Sequence, residues 1–464
     1  MAERIIFHID VNSAFLSWTA AYRVRVLGES LDLRTVPSVI AGDRESRHSI
    51  ILAKSGPAKK YGIKTAEPLG KARDKCPGLL VAEPDYDLYT TASRSLIALL
   101  RRVSPAVEQY SIDEAWVDMT GMKELLGPPV LAAEQLKNRI RDELGFTVNI
   151  GISSNKLLAK MAGDFEKPDK VHTLFPWELE QKLWPLPTQE LFFVGRATAE
   201  KLSRMGIETV GQLARADPGF LQKKLHKQGL VVWQYANGRD AGMLTPETPA
   251  NKGYGNSFTT PTDVTKRDYA CQVLLSLCET VGMRLRRDEQ AGSCVTVHIR
   301  SCLFEQWSRQ RQLGTATNGT DELYRAACAI FDELWDGVTP LRQLGVQVTK
   351  LTSGTCRQCS LFDVRDYGRL QKLDGAVDAI RDKYGEGAIL RATFLKSPVV
   401  SMAGGLAKSR RTGITKPVLE PESLLVRRGK AGVDNEKGPA YDGNGTKSGV
   451  RSCQIGTEKR ENEF

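Results

Sequence analysis

The feature that most constrains this chain is a pair of adjacent acids, Asp113 and Glu114, within Tyr110-Ser-Ile-Asp-Glu-Ala-Trp-Val-Asp-Met-Thr120. Residues 106–111 and 115–119 read as short strands joined by a tight reversal, which puts both acids at a hairpin tip. Neighbouring side chains of a straight strand face opposite ways, so adjacent acids share a target only where the backbone bends. A third acid, Asp10, follows the run 5–9, apolar except for His8 and readable as a strand buried on both faces. Three carboxylates drawn together make an oxygen-rich negative cluster that is costly unless divalent cations neutralise it. Spacing alone leaves a plainer reading open, with Asp113 and Glu114 as turn residues and Asp10 as a strand terminus.

His8-Ile-Asp-Val-Asn-Ser-Ala-Phe15 together with Tyr110-Ser-Ile-Asp-Glu-Ala115 resembles the two catalytic motifs of the Y-family DNA polymerases, the translesion enzymes, nearest the bacterial polymerase IV and V type. Further matching segments carry the likeness from about residue 4 to about residue 395. The resemblance implies an α+β multidomain fold shaped as a right hand. Its expected parts are a palm (1–14 and 85–172), small fingers (15–84), a helical thumb with a helix-hairpin-helix (173–243), a linker (244–252), an α+β little finger (253–395) and a disordered basic tail (396–464).

Composition agrees. A chain of 464 residues, 41% hydrophobic, is long enough for several cores. A net charge of +10 favours a polyanionic partner, though charge alone fits a membrane surface as well, and residues 405–464 hold twelve basic against eight acidic residues, so the tail carries much of it. No run of eighteen apolar residues is present and the start does not read as a signal peptide, so a soluble, cytoplasmic protein without membrane contact is expected. Nine scattered cysteines do not form a disulfide pattern, and Cys356 and Cys359 lack two further nearby zinc ligands.

In chain order, residues 15–23 read as a helix. Phe15 is either core or, by the resemblance, the steric gate that excludes a ribose 2′-hydroxyl. Lys59 in Ser55-Gly-Pro-Ala-Lys59-Lys-Tyr-Gly matches the fingers' triphosphate contact, while Gly56 stands where the family has tyrosine. Helices are expected at 86–103 and 130–144 and a strand at 147–153. Asn155-Lys-Leu-Leu-Ala-Lys160 then fits the third palm motif, with Lys156 and Lys160 on one helix face and Lys160 set to compensate phosphate charge. For these lysines the plain alternative is a solvated face.

Residues 191–213 resemble the thumb's helix-hairpin-helix, with Gly195, Lys201 and Gly206 as sequence-independent DNA contacts. Phe193 replaces the hairpin's more usual first glycine, so weaker binding by this copy is expected. Beyond the linker, strands are expected at 293–300 and 344–351 and helices at 270–287 and 321–335. Arg284, Arg286 and Arg300, with Arg287, Arg309 and Arg311, are the natural phosphate contacts there, against a general role in solubility. Gln358-Cys-Ser-Leu361-Phe362 resembles a sliding-clamp-binding peptide; its alternative is packing on the helix expected at 369–383. The tail lacks a sustained apolar period and reads as disordered.

The resemblance implies two Mg²⁺ ions held by Asp10, Asp113, Glu114 and the main-chain carbonyl of Val11. Primed template DNA, deoxynucleoside triphosphates and the replication sliding clamp are the implied partners of a monomer. Synthesis would be of low fidelity, without proofreading. A non-catalytic DNA- and clamp-binding adaptor is the rival from another class, though it would not need to hold three like charges together. A metal-dependent repair nuclease is a third.

Overall fold

The computed structural model describes residues 4–42, 49–246, 250–354 and 366–395, together with Ser397, Val399 and Met402. The apolar run after Arg4 forms β1 (Ile6–Val11), buried along its whole length. Phe7, Ile9 and Val11 face a core shared with the helices Tyr86–Arg101 and Pro129–Leu144. Ile6 packs on the opposite side with Trp116 and Ala159. Strand alternation therefore turns His8 and Asp10 towards the helix Lys156–Asp164.

The chain next builds a small sheet from β2 (Ser38–Ala41), β3 (Ile51–Lys54) and β4 (Leu80–Ala82), in the order β3-β2-β4. It then returns to the first sheet with β5 (Val107–Gln109), β6 (Glu114–Asp118), β7 (Val148–Ser153) and β8 (Val171–Thr173). The order there is β5-β6-β1-β7-β8. β1 is antiparallel to both neighbours, and its register sets Asp10 opposite Glu114. Glu114 thus opens β6, and only Asp113 of the acid pair belongs to the turn. The expected tip is one residue shorter because Tyr110 N and Ser111 N both donate to the Glu114 carbonyl.

Short helices between residues 179 and 236 gather around Leu183, Leu202, Leu213, Leu221 and Val232. After them Leu244 packs beside Ile6, Trp116 and Ala159, and Thr245 N donates to Glu108 Oε2 at 2.8 Å, so the expected linker begins as pinned chain. Beyond it, β9 (Gly253–Val264), β10 (Gln290–Ser301), β11 (Gln306–Thr317) and β12 (Leu341–Ser353) form an antiparallel sheet in the order β11-β10-β12-β9. The helices Arg267–Arg287 and Thr320–Leu334 share its core. The helix Tyr367–Tyr384 presents Asp374, Asp378 and Asp382 one turn apart to the arginines that end Arg267–Arg287.

Gln358, Leu361 and Phe362, Cys356 and Cys359, and the chain from 403 onward lie outside the described residues. Among the described residues no helix is long and apolar enough to cross a membrane.

One close approach fixes the helix Lys156–Asp164 against the sheet. A Cβ at Gly151 of β7 would lie 1.9 Å from the Ala159 carbonyl oxygen and 2.4 Å from Gly163 N. Both contacts are to backbone, so neither can yield without moving the helix. Gly151→Ala should therefore cost about 3 kcal/mol, read as a lower denaturation midpoint; an unchanged midpoint would refute this packing.

Candidate active site

β1 and β6 deliver the three acids to one corner. Val11 N donates to the Asp113 carbonyl at 3.1 Å, tying the turn to the end of β1. Ser111 secures it from the other side: its hydroxyl donates to Asp113 Oδ1 at 2.6 Å and accepts from the amides of Asp113 and Glu114. Asp10 and Asp113 line a cleft of about 490 Å³, within the range of roughly 300–1,000 Å³ usual for small-molecule sites. Glu114 is not among the residues that line it.

Two lysines neutralise the cluster. Lys167, from the loop after the helix Lys156–Asp164, bonds Asp10. Lys160 donates to Glu114 Oε2 at 2.6 Å, and His8 Nε2 lies 3.2 Å from the same oxygen. Burial works to raise Glu114, but the contacts from His8 and Lys160 outweigh it and hold the carboxyl at about 2. At Asp10 burial wins, leaving the carboxyl above its usual range despite Lys167. Burial also opposes the charge on Lys167, yet Asp10 beside it pushes the ammonium up.

The acids are neighbours without meeting at one point. Among the described residues no three His, Cys, Asp or Glu side chains form a ready-made metal cluster. Like charges separate, and here Asp10 and Glu114 each turn to an ammonium while Asp113 faces the cleft. Lys160 also departs from expectation. Its side chain is nearly buried, lies over the Phe192 and Tyr110 rings at 5.3 and 5.7 Å, and is not part of the cleft wall. Glu114 is simply the nearest anion within its reach.

Phe15 lines the cleft, its ring stacked on Tyr89 with centroids 4.4 Å apart. The helix Gly56–Lys60, capped by Ser55, brings Lys59 to the same space. Lys54, to which no role attached from sequence, also lines it. Burial, with Lys59 nearby, pulls its ammonium below the usual range. Its signal was strand alternation, since the Ile51 and Ala53 side chains are buried and Lys54 falls on the other face of β3. Asn12 and Asn149 were missed as well. Asn12 donates to Asn149 and accepts from Asp169 N, while Asn149 donates to the carbonyls of Gly163 and Glu166. Together they hold the loop that carries Lys167. An asparagine inside an apolar strand was the available hint.

The expected DNA contacts scatter. Gly195 begins the helix Arg196–Arg204, which exposes Lys201, and Gly206 turns the chain with φ +76°. Arg284 lies over Tyr254 and donates to the Gly255 carbonyl. Arg286 is mostly buried against Asp374 and Asp378, so it is a packing residue rather than a free phosphate contact. Arg287 pairs with Asp382, and Arg309 and Arg311 share Glu333. Of the six arginines, Arg300 lines the open groove on the sheet, beside Gln306 and Trp307.

Residues 9–164 match the impB/mucB/samB family and residues 251–361 that family's C-terminal domain. A DNA polymerase IV of Clostridium acetobutylicum is 45% identical over 395 residues, covering 85% of this chain and 99% of the relative. DNA polymerase IV 2 of Bacillus subtilis is 36% identical over 403 residues, covering 85% and 95%. A solved Y-family DNA polymerase chimera superposes with a TM-score of 0.65 at 22% identity, over 75% of this chain and 99% of that one. It supports the right-hand fold expected from sequence. By the length and identity of these matches, the chain belongs to the Y-family of DNA polymerases.

Proposed function

We propose that this chain is a DNA-directed DNA polymerase that extends a primer 3′-end in low-fidelity translesion synthesis, without proofreading. The observation that carries this reading is the register setting Asp10 opposite Glu114, with Asp113 at the mouth of a cleft walled by Phe15, Lys54 and Lys59. The donor set fits a hard divalent cation: carboxylate oxygens, already drawing ammonium groups to themselves. Asp10, Asp113, Glu114 and the Val11 carbonyl would hold two Mg²⁺ ions, which supply positive charge to the ionising 3′-hydroxyl and the departing pyrophosphate.

The rest falls to the chain's own side chains. Ser111 orients the Asp113 carboxylate, and His8 with Lys160 keeps Glu114 ionised and aimed. Lys54 and Lys59 lie where an incoming triphosphate needs cations. Asn12 and Asn149 keep Lys167 against Asp10 until substrate charge competes for it. The Phe15 ring, backed by Tyr89, forms the wall that a 2′-hydroxyl would strike. Gly195, Lys201 and Gly206 on the hairpin side and Arg300 on the open sheet are the proposed duplex contacts. Gln358, Leu361 and Phe362 form the proposed sliding-clamp peptide of a polymerase acting as a cytoplasmic monomer.

Three measurements test this. Asp113→Ala should lower the rate of primer extension by about 10²- to 10³-fold or more with far-ultraviolet circular dichroism unchanged, whereas strand cleavage by wild-type protein in Mg²⁺ would favour a nuclease. Phe15→Ala should admit ribonucleotides, and undiminished sugar selectivity would remove Phe15 from that role. Replacing Leu361 and Phe362 by alanine should abolish clamp-stimulated synthesis and spare basal synthesis; equal loss of both would assign them to packing.

A further inference from the structure

The helices Arg267–Arg287 and Thr320–Leu334 are joined at two successive levels. At the surface Arg267 donates to both Asp332 carboxylate oxygens, at 2.6 and 2.7 Å. Four residues on along the first helix and four residues back along the second, Cys271 and Cys328 meet as hydrogen-bond partners. Residues so spaced share one helix face, so the ion pair and the thiol pair belong to one antiparallel register. The Tyr324 hydroxyl, a turn before Cys328, donates to its sulfur. Both cysteines are free thiols, Cys271 buried and Cys328 half-buried beneath the exposed ion pair. A cysteine side chain is short, so contact between the sulfurs brings the backbones towards the α-carbon separation of roughly 4.4–6.8 Å that a disulfide spans. The Cys328 contact and the Arg267 guanidinium hold the Cys271 thiol below its usual range, against burial and the nearby Asp332 and Asp268. Cys278, two turns on in the same helix, is the contrast: it is fully buried, and burial pushes its thiol up.

We propose that Cys271 and Cys328 are a redox pair that closes to a reversible disulfide when the protein meets a peroxide, stapling the two helices beneath the Arg267–Asp332 ion pair. The Cys271 thiolate attacks one peroxide oxygen as the O–O bond breaks, giving a sulfenic acid and a hydroxide that takes up a proton. The Cys328 sulfur then attacks the Cys271 sulfur, the S–S bond forms, and the hydroxyl leaves with the Cys328 proton as water. The thiol pair is thereby oxidised by two electrons and hydrogen peroxide is reduced to two waters. Thiol–disulfide exchange with a small-molecule thiol reopens the bridge, which is therefore transient in a reducing compartment. Neither cysteine lines the acid cleft, so this inference is independent of the polymerase reading.

The test is peptide mapping by mass spectrometry of the full, folded chain after treatment with hydrogen peroxide, with free thiols blocked by iodoacetamide before digestion. The peptides holding Cys271 and Cys328 should be recovered as the main linked product, lighter than their sum by two hydrogens and separated again by dithiothreitol. Cys271→Ser and Cys328→Ser should each abolish that product. Cys278→Ala should retain it, which separates Cys271 from the other cysteine of the same tryptic peptide. In Cys328→Ser, dimedone should mark Cys271 as a sulfenic acid. Wild-type protein whose Cys271 and Cys328 are both recovered unlinked, while glutathione in the same tube is oxidised, overturns the proposal. So does a link that forms only once the chain has been unfolded.

Discussion

Carboxylates crowded on neighbouring buried strands repel one another, and much of the first sheet's surroundings can be read as the answer to that repulsion. Asp10 and Glu114 face each other across β1 and β6, where removal from water makes an unpaired charge expensive. Lys160 and Lys167 compensate them, and both come from the segment that crosses the sheet after β7. That segment reaches the acids because Gly151 lets its helix lie against the backbone of β7, and because Asn12 and Asn149 hold the loop that follows. Remove the close approach and the cations retreat from the acids.

The same compensation divides labour among the three acids. Glu114 is fixed as an anion by His8 and Lys160, whereas Asp10 is buried more severely than its single lysine can offset. Asp113, held by a serine hydroxyl rather than a cation, faces the cleft. One sheet corner therefore contains an anchored carboxylate, a sensitive one and an open one. Such differences in environment are how similar side chains come to do different work.

Sequence conveyed the long elements and the acid motifs well, because their signals are local. The helices around 86–101, 130–144, 270–287 and 321–334 carry an apolar period, and β1 and β7 are apolar runs. β11 went unseen since its first five residues are exposed on both faces, which leaves an edge strand no alternation to display. The three-stranded sheet escaped for the opposite reason: its strands of three or four residues are too short to show a period. At the site, Ser111, Lys54, Asn12 and Asn149 act through partners that only the folded chain supplies. Arg286 was misread on the same account, since Asp374 and Asp378 lie some ninety residues away in sequence.

The pinning of Leu244 and Thr245 to the first sheet bears on how the C-terminal sheet can move. Lys156, bonded to Glu108, also donates to the Met243 carbonyl, so the chain is moored at the edge strand β5 before it departs. Any excursion of the later domain is an arc about that mooring, which lies on the acid-bearing sheet itself rather than on the helices before it.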